Sequence, residues 1–79
     1  MRININCSWY RLRAGCHTMS AWVGDDQVTY LAVRGETGWV VTRNVAGAGV
    51  TVLGEPTVTL RAAKALAQAD LDIVGIAGF

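Results

Sequence analysis

Val28-Thr29-Tyr30-Leu31-Ala32-Val33-Arg34 runs into Gly35-Glu36-Thr37-Gly38 and returns as Trp39-Val40-Val41-Thr42-Arg43. Two runs rich in β-branched and aromatic residues, joined by a tight Gly-bounded turn, read as neighbouring antiparallel strands. Side chains alternate between the two sides of a strand. Tyr30, Ala32 and Arg34 therefore share one side of the first run, with Leu31 and Val33 opposite. Trp39, Val41 and Arg43 share one side of the second. This hairpin sets the fold class, because the chain before it repeats the same design.

Upstream, Gly24-Asp25-Asp26-Gln27 is a turn signal. Before it, Met19, Ala21 and Val23 alternate with Ser20 and Trp22, as a strand does. Gly15-Cys16-His17 reads as a further turn. Residues 7–14 read as a strand with Trp9, Arg11 and Arg13 on one side and Tyr10, Leu12 and Ala14 on the other. Residues 1–6 alternate Ile3 and Ile5 with polar neighbours, as the start of the sheet or a frayed end. Downstream, Ala46-Gly47-Ala48-Gly49 reads as a loop and residues 50–53 as a short last strand. Gly54-Glu55-Pro56 is expected to end that strand, since Pro cannot donate to a ladder.

The helix is read from Thr59, a residue type that caps free first-turn amides. Leu60-Arg61-Ala62-Ala63-Lys64-Ala65-Leu66-Ala67-Gln68-Ala69 is built from strong helix formers. Leu60, Ala63, Ala67 and Leu71 fall on one stripe at helical spacing, with Arg61, Lys64 and Gln68 facing away. The fold class is therefore α+β: one domain over residues 1–79, in the order β-β-β-β-(β)-α. Its small antiparallel sheet of four to five strands carries one helix on one face. Residues 73–79 are expected to form an apolar C-terminal tail. Ile73, Val74, Ile76 and Phe79 would fold back as an edge strand or complete the sheet of a neighbouring copy.

Seventy-nine residues leave no room for a second domain. A chain this short hides only about 60% of its unfolded surface, so self-association into a homo-oligomer is expected. Seven basic and six acidic residues give a net charge of +1, which excludes a polybasic nucleic-acid binder driven by bulk charge. The charge is uneven: five Arg face three acids up to Arg43, and two bases face three acids beyond it. No stretch approaches the length of a membrane span, so no membrane partner is expected. The first residues lack the apolar core of a signal peptide. A cytoplasmic location follows as the expectation (the host cytoplasm if the chain is phage-encoded), with reduced thiols rather than a disulfide.

Catalytic and metal chemistry find little to work with. Cys7, Cys16 and His17 leave a zinc site short of a fourth ligand. Cys16 and His17 are sequence neighbours whose side chains tend to diverge, which ill suits a nucleophile and its base. Gly24-Asp25-Asp26-Gln27 is turn chemistry, and Gly47 with Gly49 lacks the Lys-Ser/Thr of a phosphate loop. The expectation is a non-enzyme with no cofactor and no metal.

The Trp and Arg residues are the functional candidates. Trp9, Arg11 and Arg13, then Arg34, then Trp39 and Arg43, would make a mixed aromatic and guanidinium sheet face if their sides coincide. Such a face grips phosphate by bidentate hydrogen bonds and stacks on bases or sugars. It equally serves as a protein hot spot, where Trp, Tyr and Arg dominate.

Residues 28–69 run strand, turn, Gly38-Trp39-Val40-Val41, strand, and then the Thr59-capped Ala-Lys helix. This order resembles the strand-strand-strand-helix plan of arm-type DNA-binding modules of phage integrases and of plant AP2-like domains. The resemblance implies a sheet laid in the DNA major groove. The chain is also similar to the short Ala-, Val- and Arg-rich accessory proteins of actinobacterial phages, which implies binding to a host protein. The leading expectation is thus a non-enzymatic phage or mobile-element accessory factor that binds a host macromolecule through its Trp/Arg face. The alternatives are a sheet-mediated DNA binder and a structural homo-oligomer.

Overall fold

Apolar and polar residues alternate over most of residues 10–57, and the computed structural model, which describes residues 8–78, shows them as one five-stranded antiparallel sheet. The strands are β1 (Tyr10–Arg13), β2 (Cys16–Val23), β3 (Asp26–Gly35), β4 (Gly38–Val45) and β5 (Gly49–Thr57), followed by α1 (Leu60–Ala77). Spatial order equals chain order, so the sheet is a meander with β1 and β5 at its edges. The expected α+β class and element order hold. The alternating segment at residues 1–6 and the thiol of Cys7 lie outside the described residues.

Two boundaries differ from expectation. Ala14 and Gly15 alone make the first turn, with Gly15 at φ +76°, so Cys16 and His17 belong to β2. β5 does not stop at Gly54 but continues through Pro56 to Thr57. The step from Trp39 to Val41 on β4 spans four residues on β5, from Thr57 to Leu53. That irregularity absorbs Gly54, Glu55 and Pro56. A Pro is tolerated there because β5 is an edge strand with a free side.

The core lies on one side of the sheet only. Met19 and Ala21 of β2, Val28, Tyr30 and Ala32 of β3, Val41 and Val45 of β4, and Leu53 of β5 form its floor. Ala63, Ala67, Leu71 and Val74 of α1 close it from above. Inward alanines bring the helix near the strands, and α1 lies mainly over β3, β4 and β5. Thr59 caps the helix, its hydroxyl accepting from the Ala62 amide at 3.1 Å.

Residues 73–77 are not a tail but the last turns of α1. Val74 falls on the inner stripe and is a core residue, so it is not available to a neighbouring copy. Ile73 and Ile76 stand exposed on the outer side of the helix. Phe79 lies outside the described residues. No helix among the described residues is long and apolar enough to cross a membrane.

Candidate functional site

Cross-strand partners share a face, so the register fixes which Trp and Arg residues meet. Arg11 pairs with His17, His17 with Ala32, and Arg34 with Trp39. Ala32 and Val41 are partners in the core. Arg11, His17, Arg34 and Trp39 therefore lie on the helix side of the sheet. Trp9, two residues before Arg11, packs against the same core.

At this end the helix leaves β1 and β2 largely uncovered, and half-buried rings fill the margin. Lys64 Nζ sits 5.9 Å from the centre of the Trp9 ring, within cation–π range. His17 and Trp39 meet edge-on with ring centres 5.7 Å apart. They reach each other across β3, where Ala32 interposes only a methyl group. Arg11 and Arg34 flank these rings and are exposed to solvent. Arg34 is anchored at its backbone, its amide donating to the Gly15 carbonyl at 2.8 Å.

Two members of the expected face, Arg43 and Arg13, behave otherwise. Arg43 is on the helix side, but its Nη1 donates to Asp70 Oδ1 at 2.9 Å and Oδ2 at 3.0 Å. The Tyr30 hydroxyl donates to Asp70 Oδ2 at 2.7 Å. One carboxylate on α1 thus clamps the helix to β3 and β4, and the Arg43 guanidinium is engaged within the fold. Arg13 is displaced by an irregularity between Arg11 and Arg13, which pairs it with Cys16. Cys16 belongs with Val33 and Val40 on the opposite face. Trp22, two residues before the β2–β3 turn, is also on that opposite face and is about half exposed.

Charge is segregated along the molecule. One half holds the β1–β2 turn, the β3–β4 turn and the start of α1. It carries Arg11, Arg13, Arg34, Arg61 and Lys64 against Glu36 and Glu55. The other half carries Asp25, Asp26, Asp70 and Asp72, with Arg43 already paired to Asp70. The helix reinforces this polarity. Its first turn has no acidic residue and its last turn no basic one, so Arg61 and Lys64 sit at the positive pole of the macrodipole, where stability favours carboxylates. A local rule broken without a packing gain marks a surface not shaped for stability alone.

The arrangement can attract and hold an anionic group against aromatic walls. Cys16 is a free, buried thiol. Among the described residues no three His, Cys, Asp or Glu side chains come together in a way that could hold a metal ion. Two contributors were not legible as site residues: His17 reads as part of a turn, and Lys64 reads as facing away from the sheet. Asp70 did carry a signal, since it falls three residues after Ala67 and four before Val74, on the apolar stripe itself. Comparison with protein-family models, with curated proteins and with solved structures found no match for this chain.

Proposed function

We propose that this chain is a non-enzymatic binding protein that uses the cationic, aromatic end of its helix side to hold an acidic surface of a protein partner. In the setting of a phage or mobile-element accessory factor, that partner is a host protein. The observation that supports this is the convergence of Arg11, Arg34 and Lys64 around Trp9 and Trp39. Half-buried indoles give rigid apolar contact, and mobile cations beside them select for carboxylates.

Binding to DNA through the sheet has less support. A sheet laid in the major groove needs a cationic free face, and the face opposite α1 carries Arg13 alone among the Arg and Lys residues of the strands. The half-buried rings are also held edge-on or beneath Lys64, not splayed for bases to stack upon.

Capture from a nuclease-treated lysate of the native host tests the reading, with an R11E/R34E double variant alongside. The expected result is a protein retained by the wild-type chain and lost by the variant. Loss of all capture on nuclease treatment would transfer the function to nucleic acid. Equal capture by both chains would remove the cationic end from it.

A further inference from the structure

The sheet has a second face, and the register defines it row by row. One row crosses all five strands: Tyr10, Thr18, Leu31, Thr42 and Val52. A second holds Arg13, Cys16, Val33 and Val40, and a third Ser20, Thr29, Asn44 and Val50. Trp22 and Gln27 extend it toward the β2–β3 turn. No carboxylate stands in any of these rows, and the only cation is Arg13 at a corner. Six large apolar side chains of this chain are exposed on it or at its bulged margin: Tyr10, Leu12, Trp22, Val33, Val50 and Val52. α1 covers the opposite side of the sheet.

We infer that this face is the self-association surface of the protein, and that its occupant is the same face of a second copy. Three observations lead there. The first is charge. A two-fold interface sets a surface against itself, and any row of like charges would then oppose its own copy. This face has none, although the chain as a whole carries thirteen charged residues.

The second is area. Five strands about 4.8 Å apart and roughly seven residues long at about 3.3 Å each give a plane of about 550 Å². Side chains standing off that plane bring the accessible area toward the ~800 Å² per partner of a stable interface.

The third is architecture. An antiparallel sheet can leave a polar face in water, but where that face carries large apolar side chains, sheet-on-sheet stacking about 10 Å apart is a standard way to bury it. Stacking two copies makes a four-layer arrangement of helix, sheet, sheet, helix. Both helix sides, with Arg11, Arg34 and Lys64, then point outward. Three of the face's hydroxyls suit such a core, because they are already engaged within the sheet. Thr18 Oγ1 donates to the Tyr30 carbonyl at 3.1 Å, and Ser20 Oγ lies 3.3 Å from Thr29 Oγ1.

Sedimentation equilibrium of the full chain tests this without reference to the cationic end. The wild-type chain is expected at twice its 8.4 kDa mass at tens of micromolar. Val52→Lys and, separately, Val50→Lys should each sediment as a monomer. Their far-ultraviolet circular dichroism should stay unchanged, because both side chains are exposed in the single chain. Ile73→Lys, on the outer side of α1, should remain dimeric. A monomeric wild-type chain would overturn the inference. So would a dimer that survives both valine substitutions, or one that Ile73→Lys dissociates.

Discussion

Asp70 is the residue on which the helix side depends. A carboxylate three-quarters or more buried is stable only with partners, and Asp70, 18% exposed, accepts from Arg43 and from the fully buried Tyr30. Asp70→Ala removes the shared acceptor of both. A hydrogen bond to a charged group contributes about 1.5–3 kcal/mol. The expected loss is therefore about 2–3 kcal/mol, read as a lower urea midpoint at unchanged slope. A loss under about 0.5 kcal/mol would mean that the clamp does not hold the helix to the sheet. Arg43 shows why a site residue is hard to read from sequence. Its position on the strand face followed from alternation, but a partner forty residues from Tyr30 and twenty-seven from Arg43 leaves no local trace. Alternation groups Trp9 with Arg11 and Trp39 with Arg43 within their own strands, but that the sides of different strands coincide follows only from register. What alternation does not say is which side the helix will cover.

At the scale of the element, α1 and the bulges decide the geometry. The inner stripe of Ala63 and Ala67 sets how near the helix lies, and both residues are fully buried. Ala67→Leu adds three heavy atoms where no room exists. Overpacking of this kind costs about 1–3 kcal/mol. The helix would also lift, and with it the Lys64–Trp9 contact. Lower thermal stability together with a changed Trp fluorescence maximum is the expected outcome; an unchanged melting temperature would contradict the packing described. Helix and strands were legible from Thr59, the alanine spacing and the Gly-bounded turns. The run of residues 73–77 was not. Gly75 interrupts the run of helix formers, but Val74, three residues after Leu71, continues the buried stripe. Burial of that side chain outweighs the roughly 1 kcal/mol that a helical Gly costs. The irregularity opposite Trp39 was equally hidden, because extra residues on an edge strand need only a partner that tolerates them.

At the scale of the whole molecule, the two faces of one sheet are proposed to have separate duties. One binds α1 over most of its width and leaves a cationic, aromatic margin. The other is uncharged but for a corner and fits a copy of itself. The segregation of charge along the chain would orient the proposed acidic partner toward the margin before contact. It also predicts that binding weakens with salt, as exposed charges are screened beyond about 10 Å at 0.1 M. The overall design was legible, since a short chain with one helix cannot cover both faces of five strands. The distribution of function between the faces was not, because it rests on register.

The most direct test uses the three indoles as reporters. In a ¹⁵N-correlated spectrum recorded while a Glu-rich peptide is added, the side-chain signals of Trp9 and Trp39 and the amides of Arg11, His17 and Arg34 should move together. The Trp22 indole on the opposite face should stay in place. Movement of Trp22 with Trp9 and Trp39 unchanged, or no movement at all at millimolar peptide, would contradict a binding end on the helix side.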